Sequence, residues 1–185
     1  MAQRELVELA MRGDRDAFSA LAASVVDRLY ATAMLILRDH SMADDATQET
    51  IVRAWRDLPS LRDPDRFDAW LRRLLVNACT DEGRRQRRGR PEVTLLPIHE
   101  PMIGDSSAAL ENRDALERGY RRLRSEHRTV IVLHYYHELS LPEVAHATNV
   151  PLGTVKSRIH HATRALRAAL EADARSAGMT KGDTA

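Results

Sequence analysis

The chain has 185 residues, room for one medium domain or two small ones. Its 28 Lys and Arg nearly cancel its 27 Asp and Glu, which excludes a uniformly basic coat. The single Cys79 excludes an internal disulfide and an all-cysteine metal site, and fits a reducing compartment.

The near-zero sum hides blocks of charge. Residues 1–52 carry 5 basic and 9 acidic side chains, whereas 53–90 carry 11 and 6. Residues 91–140 carry 6 and 8, and 141–170 carry 4 and 1. Two positive blocks separated by acidic ones suggest two sites for a polyanion. All but two of the 28 basic residues are Arg, whose planar fork suits phosphates and bases.

From Met1 to Asp16 charged and apolar residues alternate, with no signal-peptide core. The longest purely apolar run, Ala33–Leu37, is too short to span a bilayer. These features predict a cytoplasmic protein without membrane insertion. Gly13 and Asp14 read as the end of a short first helix and the cap of a second. Phe18, Leu21, Val25, Leu29, Ile36 and Leu37 then recur at helical spacing, as do Thr47, Ile51, Ala54, Trp55 and Leu58. Asp44 is a candidate cap there, and Gln48, Glu49, Arg53 and Arg56 form an exposed stripe. Asp63 caps and Pro64 opens the next helix, which steps cleanly through Phe67, Trp70, Leu71, Leu74, Leu75 and Ala78. Phe67 and Trp70 at this spacing are core residues. An all-helical unit over 1–90 follows, with no alternating strand.

Residues 91–112 hold three of the seven prolines, plus Gly104, Ser106 and Ser107, and are expected to form a flexible linker. Helical spacing returns over 113–172 through Leu116, Tyr120, Leu123 and Val130–Leu133. The tail, 173–185, is small and polar and is expected to fray.

The most informative segment is near the C-terminus. Ser140, Leu141, Pro142 and Glu143 make a capping box, Asn149-Val150-Pro151 makes a turn, and a longer helix starts near Gly153. This is a helix-turn-helix candidate. Val155, Ile159, Ala162, Leu166 and Leu170 lie on one face of the second helix, and Lys156, Ser157, His160, His161 and Arg164 on the other. The polar stripe fits a major groove. It also fits an ordinary solvated face; the tight turn, capping box and positive block favour DNA.

The second basic cluster packs Arg84, Arg85, Arg87, Arg88 and Arg90 into seven residues, following Arg72, Arg73 and Asn77. Cations suit a helix C-terminus, but five exceed what one terminus uses, so phosphate contact is the better reading. Enzyme readings fare poorly. His134, His137 and Glu138 do not make the two-histidine helical zinc motif, and there is no glycine-rich phosphate loop or nucleophile elbow. No catalytic residue, metal or cofactor is assigned.

Together these pieces resemble the extracytoplasmic-function (ECF) group of bacterial RNA polymerase sigma factors, in the sigma-70 family. The resemblance covers nearly all of residues 3–170. It rests on Asp45-Ala46-Thr47-Gln48-Glu49-Thr50-Ile51-Val52-Arg53-Ala54-Trp55, on Phe67-Asp68-Ala69-Trp70-Leu71, on Asn77, Asp81 and the Arg run, and on Val150 through His160. It implies an all-α protein of two small helical domains: region 2 over 1–90 and a helix-turn-helix region 4 over 113–172. The implied partners are the polymerase core (β′ clamp helices and β flap), promoter DNA and an anti-sigma factor. Asp45, Gln48, Glu49, Arg53 and Arg56 would dock on the core. Leu61, Arg62, Asp63, Arg72, Arg73, Asn77, Arg84, Arg85, Arg87 and Arg88 would hold the melted −10 strand, with Leu61–Arg66 cradling a flipped base. Thr154, Lys156, Ser157, Arg158, His160, His161 and Arg164 would read the −35 duplex.

Departures from the family pattern are expected to matter. Leu61 stands where relatives often carry an aromatic, Asn149 replaces a turn glycine, and Gly83 interrupts a helix and frees the Arg run. A free-standing helix-turn-helix regulator is the alternative reading, and a hydrolase built on His134, His137 and Glu138 is a distant third.

Overall fold

The computed structural model describes residues 3–89 and 107–180, with side chains at 3–86 and 113–172. Every regular element among them is helical. The first, α1 (Gln3–Met11), stops where Gly13 takes a positive φ of 92°. Asp14 then caps α2 (Arg15–Leu37), its Oδ1 accepting from the Asp16 and Ala17 amides at 3.0 Å each. Losing such a cap costs about 1 kcal/mol. By length and apolar composition α2 is able to cross a membrane. Here its stripe of Leu21, Val25, Leu29, Ala33 and Ile36 is instead the centre of a helical core.

Arg38 closes α2 in the left-handed conformation, φ 61°, its amide bonded to the Met34 carbonyl. The cap of α3 (His40–Asp57) is Asp39, whose carboxylate accepts from the Met42 amide at 2.9 Å. Asp44, the expected cap, lies a turn inside α3 and is exposed. The helix starts earlier because the chain reverses at Arg38, so the acid that follows the turn does the capping. After a 3-10 turn (Leu58–Ser60), Asp63 accepts from the Asp65 amide and Pro64 opens a second 3-10 turn (Pro64–Arg66), as its sequence position predicts. That turn runs into α4 (Phe67–Gly89).

Gly83 does not interrupt α4, which passes through it unbroken. A Cβ there would lie 3.3 Å from Ser125 Oγ, so the glycine serves close approach of another helix.

The second unit opens with α5 (Ser107–Arg122), which begins inside the stretch expected to be linker; 90–106 lies outside the described residues. Next come α6 (Ser125–Ile131), a π-helical turn (Val132–Tyr136), α7 (Leu141–Thr148) and α8 (Leu152–Thr180). Helix α8 continues through most of the tail expected to fray, as far as Thr180, where the helix formers Ala174, Arg175, Ala177 and Met179 recur. Gly119 lets α5 lie flush on α8: a Cβ there would sit 2.7 Å from that of Ala169.

There are two apolar cores. The larger unites α1 to α4, and the smaller holds Val130, Leu133, Val144, Ala147 and Val155. The units exchange residues: Val132 is buried in the first core and Val76 of α4 in the second. Burying a valine is worth about 1.5–3 kcal/mol. Helix α4 packs on α6 and α7, and α2 on α6, so the two units lie against each other.

Candidate nucleic-acid interface

The helix-turn-helix is built as its sequence requires. The Ser140 amide and hydroxyl both donate to Glu143 Oε2, at 2.8 and 2.6 Å. Asn149 ends α7 with φ 52°, taking the left-handed role of the glycine it replaces. Its amide bonds the Ala145 and His146 carbonyls, and Pro151 stands just before α8, its carbonyl accepting from the Thr154 amide at 2.9 Å. Val144 and Val155 are fully buried and pin the two helices together.

On α8, Lys156, Ser157, His160, His161 and Arg164 are all exposed, while Val155 and Ala162 are buried. Arg158 differs: it is half-buried and lies 3.4 Å from Glu126 of α6. Thr154 is also partly buried. The sequence pattern missed His127 of α6, whose ring stacks on His161 at 6.3 Å. Burial, with repulsion from His161, Arg158 and Arg124, pushes the His127 pKa below its ordinary value against the pull of Glu126.

A second basic surface runs along α4. Arg73, Asn77, Arg84 and Arg85 are exposed, and Arg72 is half-buried. Arg85 pairs with Glu82, and Arg84 approaches Asp81 at 3.9 Å. Arg87 and Arg88 have helical backbone, and their side chains lie outside the described set. Arg62 and Asp63 are exposed, whereas Leu61 is 8% exposed and belongs to the core. Its side chain is spent on packing and offers no stacking face to a base. Phe67 is buried, and Trp70 rests on the core with one side bordering a cavity of about 730 Å³.

The stripe on α3 needs correction at two positions. Arg53 is not a free exposed cation: it bonds Glu49 at 2.7 Å and Asp81 of α4 at 3.1 Å, tying the two helices. Glu49 is correspondingly engaged. Asp45, Gln48 and Arg56 are exposed. Between them stand two apolar residues the polar stripe had passed over, Val52 at 60% exposure and Trp55 at 39%. Positions 45, 48, 52, 55 and 56 share one face at helical spacing. Trp55 is steadied from behind by Phe18, ring centres 4.9 Å apart.

The histidines of the third reading point apart. His134 Nδ1 bonds the Leu139 carbonyl at 2.7 Å, and His137 Nε2 meets Thr32 Oγ1 at 3.0 Å. Among the described residues no three His, Cys, Asp or Glu side chains gather as a metal site. Cys79 is buried, which pushes its thiol pKa up to about 12 and leaves it unreactive.

The geometry defines a helix-turn-helix protein with a second, arginine-lined helical unit. Residues 21–89 match the family described as Sigma-70 region 2, and residues 121–168 match Sigma-70, region 4. The chain is 30% identical over 179 residues to the ECF RNA polymerase sigma factor SigW of Bacillus subtilis, covering 89% of this chain and 94% of that one. It is 34% identical over 154 residues to the ECF sigma factor SigM of Mycobacterium tuberculosis, covering 83% and 77%. Among solved structures it resembles CnrH in complex with the cytosolic domain of CnrY, with a TM-score of 0.61 and 31% identity over 94% of this chain and 99% of that one. It also resembles the sigma factor RpoE bound to the anti-sigma factor NepR from Bartonella quintana, with a TM-score of 0.64 and 25% identity over 83% and 96%. The chain belongs to the ECF group of sigma-70 family RNA polymerase sigma factors.

Proposed function

We propose that the chain acts in the cytoplasm as a promoter-specificity subunit, without enzymatic activity of its own, and that its surfaces divide the work in three. The α3 face of Asp45, Gln48, Val52, Trp55 and Arg56 docks on the polymerase core at the β′ clamp helices, with the second unit near the β flap. An apolar centre ringed by polar groups fits a protein partner. The α4 path of Arg72, Arg73, Asn77, Arg84 and Arg85, with Arg62 and Asp63, follows the displaced −10 strand. Arginines there neutralise phosphates, and Asn77 offers paired hydrogen bonds to a base edge. The α8 face of Lys156, Ser157, His160, His161 and Arg164 enters the −35 major groove, with Thr154 and Arg158 at its margin.

The observation that carries this reading is the coexistence of two separate basic surfaces, on α4 and on α8, in one chain of this family. A regulator that binds only duplex has no use for the first. An anti-sigma factor is a fitting partner, since the relatives CnrH and RpoE are solved in complexes, RpoE with an anti-sigma factor.

The test is transcription by core polymerase on fragmented genomic DNA, with and without the chain, followed by sequencing of RNA 5′ ends. New, sharply defined starts sharing upstream sequence are expected. Tight duplex binding without new starts would establish a free-standing regulator instead.

A further inference from the structure

The polar face of α8 has a seam with α6. Arg158 and His161, three positions apart, share the edge where the two helices meet. Arg158 is half-buried there and lies 3.4 Å from Glu126. His161 on the same edge stays exposed, but its ring is bracketed. His127 of α6 lies nearly parallel to it, with planes inclined by 23° and ring centres 6.3 Å apart. His160 meets it edge-on, inclined by 67° with centres 5.9 Å apart.

The turn that carries His127 is fixed by its neighbours. The His127 amide donates to the Arg124 carbonyl at 2.9 Å. On one side Glu126 reaches across to Arg158. On the other, Arg128 donates to the Ile36 and Leu37 carbonyls at the end of α2, at 2.6 and 3.3 Å. It also donates to the Leu123 and Arg121 carbonyls at the end of α5, at 2.7 and 3.3 Å. Thr129 Oγ1 donates to the Ser125 carbonyl at 2.9 Å, and Val130 is fully buried. His127 thus offers a flat ring from a rigid base. Burial favours its neutral form, with His161, Arg158 and Arg124 acting in the same direction against Glu126. An uncharged ring lies beside those cations without repelling them.

Orientation matters for a histidine that reads DNA. The two imidazole nitrogens differ, and the turn of the ring decides which one meets a base edge. Freezing a mobile side chain on binding also costs entropy, which a ring already seated avoids. We infer that His127 is a positioning residue for −35 recognition. It touches no base itself; it sets the orientation in which His161 enters the groove, so the base-pair choice made there depends on both histidines. This rests on the assignment of α8 to the −35 duplex.

The test is selection by core polymerase carrying the full-length chain. The pool is a promoter located by RNA 5′-end sequencing and randomised across its upstream element. His161→Ala should relax the choice at one base pair. His127→Ala should relax the same one, and lower affinity for the wild-type sequence about two- to tenfold. The double variant should lose no more than His161→Ala alone, whereas Lys156→Ala, away from the seam, should combine additively with His127→Ala. His127→Phe keeps a flat ring at the seam and should retain the wild-type choice. Should His127→Ala not melt cooperatively, His127→Gln replaces it with the same expectations.

Unchanged selection by His127→Ala or by His161→Ala overturns the inference. So does relaxation at different base pairs, additive loss in the double histidine variant, or failure of phenylalanine to rescue. If Lys156→Ala alters selection and neither histidine variant does, the assignment of α8 stands and only the role of His127 falls. A wild-type chain that selects no upstream sequence overturns the assignment of α8, and this inference with it.

Discussion

His137 Nε2 and Thr32 Oγ1 lie 3.0 Å apart, across the contact between the π-helical turn and α2. Thr32 is fully buried and spends its own proton on the Arg28 carbonyl at 2.8 Å. The histidine must therefore donate, which the neutral ring does with its proton on Nε2. Burial, then repulsion from Arg72 and Arg28, pushes the His137 pKa down to about 4 from its ordinary 6.5. Asp68 also lines this site, and Tyr136 packs edge-on against the ring.

A pH dependence follows with a definite sign. The folded pKa lies below the ordinary one, so the unfolded chain binds the proton more readily. The contribution of His137 is fully present above pH 6.5 and is lost as pH falls towards 4. Urea midpoints measured across that interval should fall with acidification. His137→Gln should flatten the part of the curve that His137 supplies; an unchanged slope would mean that other groups carry it.

Gly119 and Ala169 give a prediction about packing. A methyl added at Gly119 meets the Ala169 side chain at 2.7 Å, closer than carbon atoms approach. Gly119→Ala should destabilise the second unit by about 1–3 kcal/mol, despite alanine's better helix propensity. A companion Ala169→Gly should recover part of the loss. Chemical denaturation of the two single variants and the pair measures the coupling.

Arg53 and Arg56 are three residues apart and should behave differently. Arg53 joins α3 to α4 through Glu49 and Asp81, so Arg53→Ala should cost about 1 kcal/mol of stability. Arg56 is exposed and pairs with its sequence neighbour Asp57, so Arg56→Ala should leave the melting temperature unchanged. Gln48→Ala and Val52→Asp should weaken binding to core polymerase at unchanged stability. Calorimetry and core pull-down, run on the same samples, separate the two effects.

Much of this was legible from residue order because local rules determined it. The Asp14 and Asp63 caps, the Ser140–Glu143 box and the split faces of α8 each follow from contacts within a few residues. What depended on distant partners was not legible. Arg53 reads as a surface cation until Asp81, 28 positions on, is placed beside it. Gly83 reads as a helix breaker until Ser125 fills the space above it. Leu61 reads as a base-facing position until the core closes over it. Arg128 carried no sequence signal at all, because its four acceptors are backbone carbonyls whose positions only the fold decides.

The division of labour between α4 and α8 is tested most directly by footprinting one promoter with polymerase carrying wild-type chain, Lys156→Ala or Arg73→Ala/Asn77→Ala. Upstream protection and permanganate reactivity of melted thymines are read on the same template. Lys156→Ala should lose upstream protection, consistent with about 1–3 kcal/mol for a direct contact, yet still melt DNA once bound. The α4 variant should keep upstream protection and lose permanganate reactivity. Loss of both signals together in either variant would contradict two separable DNA-binding surfaces.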